Sequence, residues 1–137
     1  MKYRRLKGYK YQLAETFSVS VPVLADVVIA HPMFSMHEGI LTVNCGYCWD
    51  GASGPTWDDD SNMTPSLVHD VLYQALRHGL LAPPRRADAD YALAQLCAAR
   101  GMPKARWLVW FAGLSIFGFN AAKLKKTEPQ DDIRTAP

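Results

Sequence analysis

The chain reads as an α+β domain: a small N-terminal antiparallel β-sheet followed by a three-helix unit with an antiparallel helical hairpin. Three observations predict this. Residues 9 to 49 are rich in β-branched side chains and alternate in polarity, as half-buried strands do. Residues 64 to 124 carry helix starts and stops at helical spacing. Between them "DGASGPTWDDDSNM", residues 50 to 63, has no periodicity and many turn formers. At 137 residues, 49% hydrophobic and 20% charged, the chain suits one domain over residues 1–126 with a polar tail over 127–137.

The strands are expected in "TFSVSVPVL", "ADVVIA" and "GILTVNCGYCW". Pro22 and Pro32 mark strand edges or turns, because proline donates no hydrogen bond to a ladder. "HEG" at 37–39 reads as a hairpin turn into a strand over 40–45. The loop over 50–63 is long enough to suspect function. Thr64 is placed to cap the first helix, with Pro65 at its first position, where a missing N–H is harmless. Gly79 and "APP" at 82–84 stop it. A second helix is expected from about Arg85 to Arg100, closed by Gly101, and a third from Pro103 to about Leu124. The short proline-containing turn between the first two helices makes them antiparallel neighbours.

A net charge of +2 is too small to argue for nucleic-acid binding. Lys2, Arg4, Arg5, Lys7 and Lys10 crowd the first ten residues and read as a solvated terminus able to meet phosphates. No apolar run follows them, so no cleavable signal peptide is expected. Cys45, Cys48 and Cys97 are too few for a disulfide framework, which points to synthesis in a reducing cytoplasm. Cys45 and Cys48 form a C-x-x-C without a second pair, at the end of a strand, a poor setting for zinc or redox chemistry.

One constellation carries chemistry. "TPSLVHDVLYQAL", residues 64 to 76, is an apolar helix start that nevertheless holds His69, Asp70 and Tyr73. His69 and Tyr73 share a face at i and i+4, while Asp70 is turned roughly 100° away. Asp88 and Asp90 fall in the first turns of the second helix, and folding the hairpin back brings one of them level with His69. A carboxylate on one imidazole nitrogen fixes the tautomer and leaves the other nitrogen to take a proton from water. Asp70 is then free to bind a cation. The loop would add carbonyl oxygens and Asp50, Asp58, Asp59 or Asp60, and Asp50 with Gly51 reads as a tight turn whose backbone lies near the site. Calcium wants about six to eight such oxygens. The same residues also suit a non-catalytic network, with Asp70 in a salt bridge, His69 a satisfied core histidine and Tyr73 packing.

Two resemblances rest on these residues. "HDVLY" followed by "ADADYALAQLC" resembles the catalytic helix pair of phospholipase A2 enzymes, especially the small microbial type. That resemblance implies a catalytic base at His69, a supporting phenol at Tyr73, an orienting carboxylate at Asp90 and a calcium carboxylate at Asp70. "GYCWDGASG", with Asp50 and Gly51, loosely matches the calcium loop. The implied activity is calcium-assisted hydrolysis of a membrane phospholipid ester, with a phospholipid surface as partner. Over most of the chain, "VP…WDGASGP…VHDVLY…ADADYALA" resembles a phage and prophage family known only as a domain of unknown function, with DGAS-P, HD-x-LY, an Asp-bearing helix and an aromatic helix. The expectation there is a phage protein, virion-associated or meeting a host protein, and its non-catalytic form is the alternative to the hydrolase.

The last helical stretch, residues 104 to 126, has an apolar run of sixteen residues from Trp107 to Ala122. That is short of the roughly twenty needed to span a bilayer. It reads either as a core helix or as an interfacial one with lysines at both ends.

Overall fold

The computed structural model describes residues 1–7, 11–51 and 62–122, with side chains described as far as Leu114. The loop residues Trp57, Asp58, Asp59 and Asp60, the end of the third helix at Leu124 and the tail lie outside the described residues.

Among the described residues, seven short strands precede three α-helices. They are β1 (Tyr3–Arg5), β2 (Tyr11–Leu13), β3 (Phe17–Ser20), β4 (Ile29–Ala30), β5 (Phe34–His37), β6 (Ile40–Val43) and β7 (Cys48–Trp49). The helices are α1 (Met63–Arg77), α2 (Arg86–Ala99) and α3 (Lys104–Ala122). The α+β architecture is the one expected, but the strands form two sheets, ordered β1-β2-β7 and β3-β6-β5-β4. The split is a break in one ladder. Tyr11 faces Trp49 and Phe17 faces Val43, the register a single uninterrupted hairpin would have. Between these pairs the Thr16 hydroxyl, in place of a backbone carbonyl, accepts from Cys45 N–H, and Ala14 N–H turns to the carbonyl of Lys2, just before β1. The ladder is therefore interrupted at 14–16 and 44–46, which divides it between the two sheets.

The hairpin at 37–39 forms as expected. Glu38 and Gly39 have φ of 50° and 75°, the two left-handed positions of a type I′ turn, whose twist matches the flanking strands. Two strand expectations do not hold. Residues 22–24 of "TFSVSVPVL" form a 3-10 turn, because Pro22 cannot extend the ladder and its carbonyl accepts from Ala25 N–H instead. Of "ADVVIA" only Ile29–Ala30 pairs, against β5.

Helix α1 starts at Met63, with Asn62 rather than Thr64 at the cap and no side-chain cap bond. Ser66 N–H to Asn62 O, 2.8 Å, is its first helical bond. Pro65 sits in the first turn, where its missing donor costs nothing. Leu67, Val68, Val71, Leu72, Ala75 and Leu76 are all buried, so α1 is the spine of the core. Helix α2 returns antiparallel and buries Ala89, Ala92, Leu93 and Cys97. The turn between them is fixed by Arg85, whose guanidinium grips Asp26 at 2.7 and 3.0 Å, the Val23 carbonyl at 3.1 Å and Asp88 at 2.6 Å. Trp110 and Leu114 of α3 pack on Leu93, Cys97 and Met102 as a second, smaller cluster. No helix among the described residues is long and apolar enough to cross a membrane.

Candidate functional site

The spacing of α1 puts His69 and Tyr73 on one face, one turn apart, with ring centroids 4.0 Å apart. The antiparallel return of α2 sets Asp90 against that face. His69 Nε2 lies 2.8 Å from Asp90 Oδ1, and the Tyr73 hydroxyl donates to the same oxygen at 2.6 Å. Arg86, one turn before Asp90, holds Nη1 3.6 Å from Oδ2 and donates to Leu114 O at 3.4 Å. His69, Asp90 and Tyr73 are only 3%, 1% and 4% exposed. An ion so deep loses several kcal/mol of hydration, and persists only if its lone pairs are filled. Here an imidazole, a phenol and a guanidinium surround one carboxylate.

That arrangement fixes protons. An ionised Asp90 accepts from Nε2–H, so the lone pair of the neutral ring lies on Nδ1. Among the described residues no hydrogen-bond partner meets Nδ1. Burial, and then the bond to Asp90, push the Tyr73 phenol well above its usual range, so it stays a donor. Of the two carboxylates expected near His69, Asp90 is the one that arrives. Asp88 is turned to Arg85.

Asp70 points away from this trio, as its position on the helix requires, and is half-buried. Its carboxylate accepts the backbone N–H of Asp50 and lies near the Asp50 charge. Burial, reinforced by Asp50 and opposed by that N–H and by Arg77, pushes its carboxyl up to about 7. Asp50 is delivered by Trp49 at the end of β7. The Trp49 indole is 2% exposed, donates to Ser66 Oγ at 3.1 Å and clusters with the rings of Tyr3 and Tyr11, which also touch each other. Gly51, at φ 81°, then turns the chain in a conformation a side chain would strain. The structure thus makes two neighbouring groups: His69, Tyr73 and Asp90 between the helices, and Asp50 with Asp70 at the end of β7.

Asp50 and Asp70 are hard oxygen donors, the kind calcium prefers, and a cation between them would relieve the Asp50 repulsion that adds to burial in raising Asp70. Among the described residues no group of three or more His, Cys, Asp or Glu side chains converges. Further oxygens would have to come from the chain after Gly51, from water or from substrate. Cys48 is unsuited to redox chemistry, its thiol pushed up by burial.

Asp70→Asn tests the strain at this pair. The folded carboxyl titrates near about 7, the unfolded one near 3.8. Between those values the unfolded chain has lost a proton that the folded chain keeps, so the Asp70 contribution to stability falls as pH rises through this window. In chelator, Asp70→Asn should be more stable than the parent by on the order of 1–2 kcal/mol above the window, discounted for partial exposure, and equal to it below. Urea unfolding across pH reads this out. Parallel curves for the two proteins would show that Asp70 is not strained.

Arg86 was not among the residues the sequence singled out. Its signal was the spacing Arg86-x-x-x-Asp90, which puts a cation one turn before the buried acid. Comparison with protein-family models, curated proteins and solved structures found no match to this chain.

Proposed function

We propose that the chain is a phage-type hydrolase resembling phospholipase A2, cleaving a membrane phospholipid ester with His69 as general base. The observation that carries this reading is the Asp90 carboxylate on Nε2 of His69. It makes Nδ1 the basic atom and holds the ring in one orientation, which a base must have before it meets water. A water on Nδ1 would give up its proton as its oxygen adds to the ester carbonyl. Asp90, itself held by Tyr73 and Arg86, would stabilise the imidazolium that forms. The proton then passes from His69 to the departing alkoxide. Asp70 and Asp50 would hold calcium, which when bound supplies charge to polarise the carbonyl and stabilise the oxyanion.

One observation favours the alternative, a non-catalytic virion or host-interaction protein. Asp90 is surrounded on both oxygens by donors from two helices, the pattern of a network that fixes one helix against the other. A calcium titration with phospholipid hydrolysis as readout separates the two. Fatty-acid release that rises with calcium and stops with chelator supports the enzyme. A folded protein that releases none at any calcium level supports the structural network.

A further inference from the structure

We propose that the outward face of α3 seats the protein on an anionic phospholipid bilayer. This deepens the hydrolase reading, on which it rests for the lipid being substrate as well as support, by naming the surface that meets the bilayer.

Helix α3 is apolar on two opposite sides. Its inner side packs Trp110 and Leu114, with half-buried Trp107, on Leu93, Cys97 and Met102. That contact is so apolar that the buried indole N–H of Trp110 has no acceptor among the described residues. The side facing solvent should then be polar. Instead it presents Ala105, Leu108, Val109 and Ala112, all exposed, at i, i+3, i+4 and i+7, which is one continuous stripe. Leu108 and Val109 are 43% and 55% exposed.

Charge selects the occupant. From Tyr91 to Thr127 the chain has no Asp or Glu, while Arg100, Lys104, Arg106, Lys123, Lys125 and Lys126 fall within it. Lys104 is exposed at the start of α3. A second copy docked through α3 would set one all-cationic segment on another, parallel or antiparallel. A nucleic acid would match the charge but leave the Leu108–Val109 stripe unused. An anionic bilayer answers both features, taking the apolar stripe at headgroup depth and Lys104 on its phosphates. The helix is not built to cross the bilayer, so it would lie in the interface.

The test uses the full chain and vesicles of ether-linked phosphatidylcholine, with or without ether-linked phosphatidylglycerol, which bind but cannot be hydrolysed. Flotation should recover the protein with the phosphatidylglycerol vesicles, and less of it at high salt. The double variant L108Q/V109Q should bind about tenfold more weakly. Both positions are exposed, so its melting temperature should match the parent. Native Trp110 is already buried and would report little. Leu108→Trp places an indole on the wet face, and its emission should shift blue on the same vesicles. No binding to anionic vesicles, equal binding by L108Q/V109Q, or self-association that L108Q/V109Q abolishes would each overturn the proposal, the last in favour of a second copy. Hydrolysis of a short-chain monomeric phospholipid is measured separately. Its failure would count against the catalytic reading and leave the vesicle result standing.

Discussion

Asp90→Ala is expected to lower the unfolding free energy by about 3–5 kcal/mol, the range for removing one partner of a buried charged pair. The loss comes less from the bonds removed than from the groups left behind. The imidazole N–H of His69 and the hydroxyl of Tyr73 both point at Asp90 Oδ1, and Arg86 Nη1 lies 3.6 Å from Oδ2. Without the carboxylate two buried donors lose their acceptor, and the partly exposed Arg86 guanidinium loses an ion-pair partner. Asp90→Asn keeps the size and one acceptor oxygen, so it should cost less, about 1–2 kcal/mol. Tyr73→Phe removes a single donor and should cost about 1 kcal/mol. Urea unfolding of the three variants gives the ranking. If Asp90→Ala unfolds within experimental scatter of the parent, the carboxylate does not organise the two helices, and both the catalytic and the structural reading of this site lose their foundation.

The placement of the site was legible in the sequence to the extent that helix geometry fixes it. His69 and Tyr73 must share a face of any α-helix, Asp70 must point elsewhere, and a short turn must return the next helix antiparallel. Helix geometry left Asp88 and Asp90 both open, and only the phospholipase A2 resemblance named Asp90. The choice depends on the register of α2 against α1; in the structure Arg85 ties Asp88, at the start of α2, to Asp26 in the N-terminal half. A contact between residues so far apart in the chain leaves no periodic mark. Arg86 was missed for a related reason, since an exposed Arg at an i,i+4 distance from an Asp is ordinary until burial of the Asp is known.

In the strands, polarity alternation placed the hairpin turn and β6 but read "VPVL" and "ADVVIA" through their local β-tendency. Pro22 decides the first case, and the second is decided by where β5 ends. The break at 14–16 and 44–46 is held by a side-chain hydroxyl and by the Lys2 carbonyl, both tertiary choices. Asp50 reached Asp70 for an equally non-local reason, the indole of Trp49 bonded to Ser66 on the far helix.

On the hydrolase proposal, His69→Ala should lower kcat for phospholipid hydrolysis by about a thousandfold or more, the upper part of what a positioned general base contributes. The reason is specific to the tautomer. With Nε2–H committed to Asp90, Nδ1 is the ring's only basic atom, and the other three imidazoles lie elsewhere: His31 is stacked on Phe34 and its Nδ1 accepts the Met33 N–H, His78 caps the far end of α1 beside His31, and His37 sits on the exposed side of β5. Asp90→Asn should lower kcat less, about a hundredfold, because the amide can present an N–H to Nε2 and so move the ring proton to Nδ1, where it blocks the base. On the same proposal calcium should raise the melting temperature of His69→Ala as much as that of the parent, since the proposed cation donors Asp50 and Asp70 are untouched. His69→Gln, which keeps a polar group beside Asp90, guards against a loss that is only unfolding. Full activity in a folded His69→Ala or His69→Gln protein would remove His69 from the mechanism and leave its pair with Asp90 as a structural joint between α1 and α2.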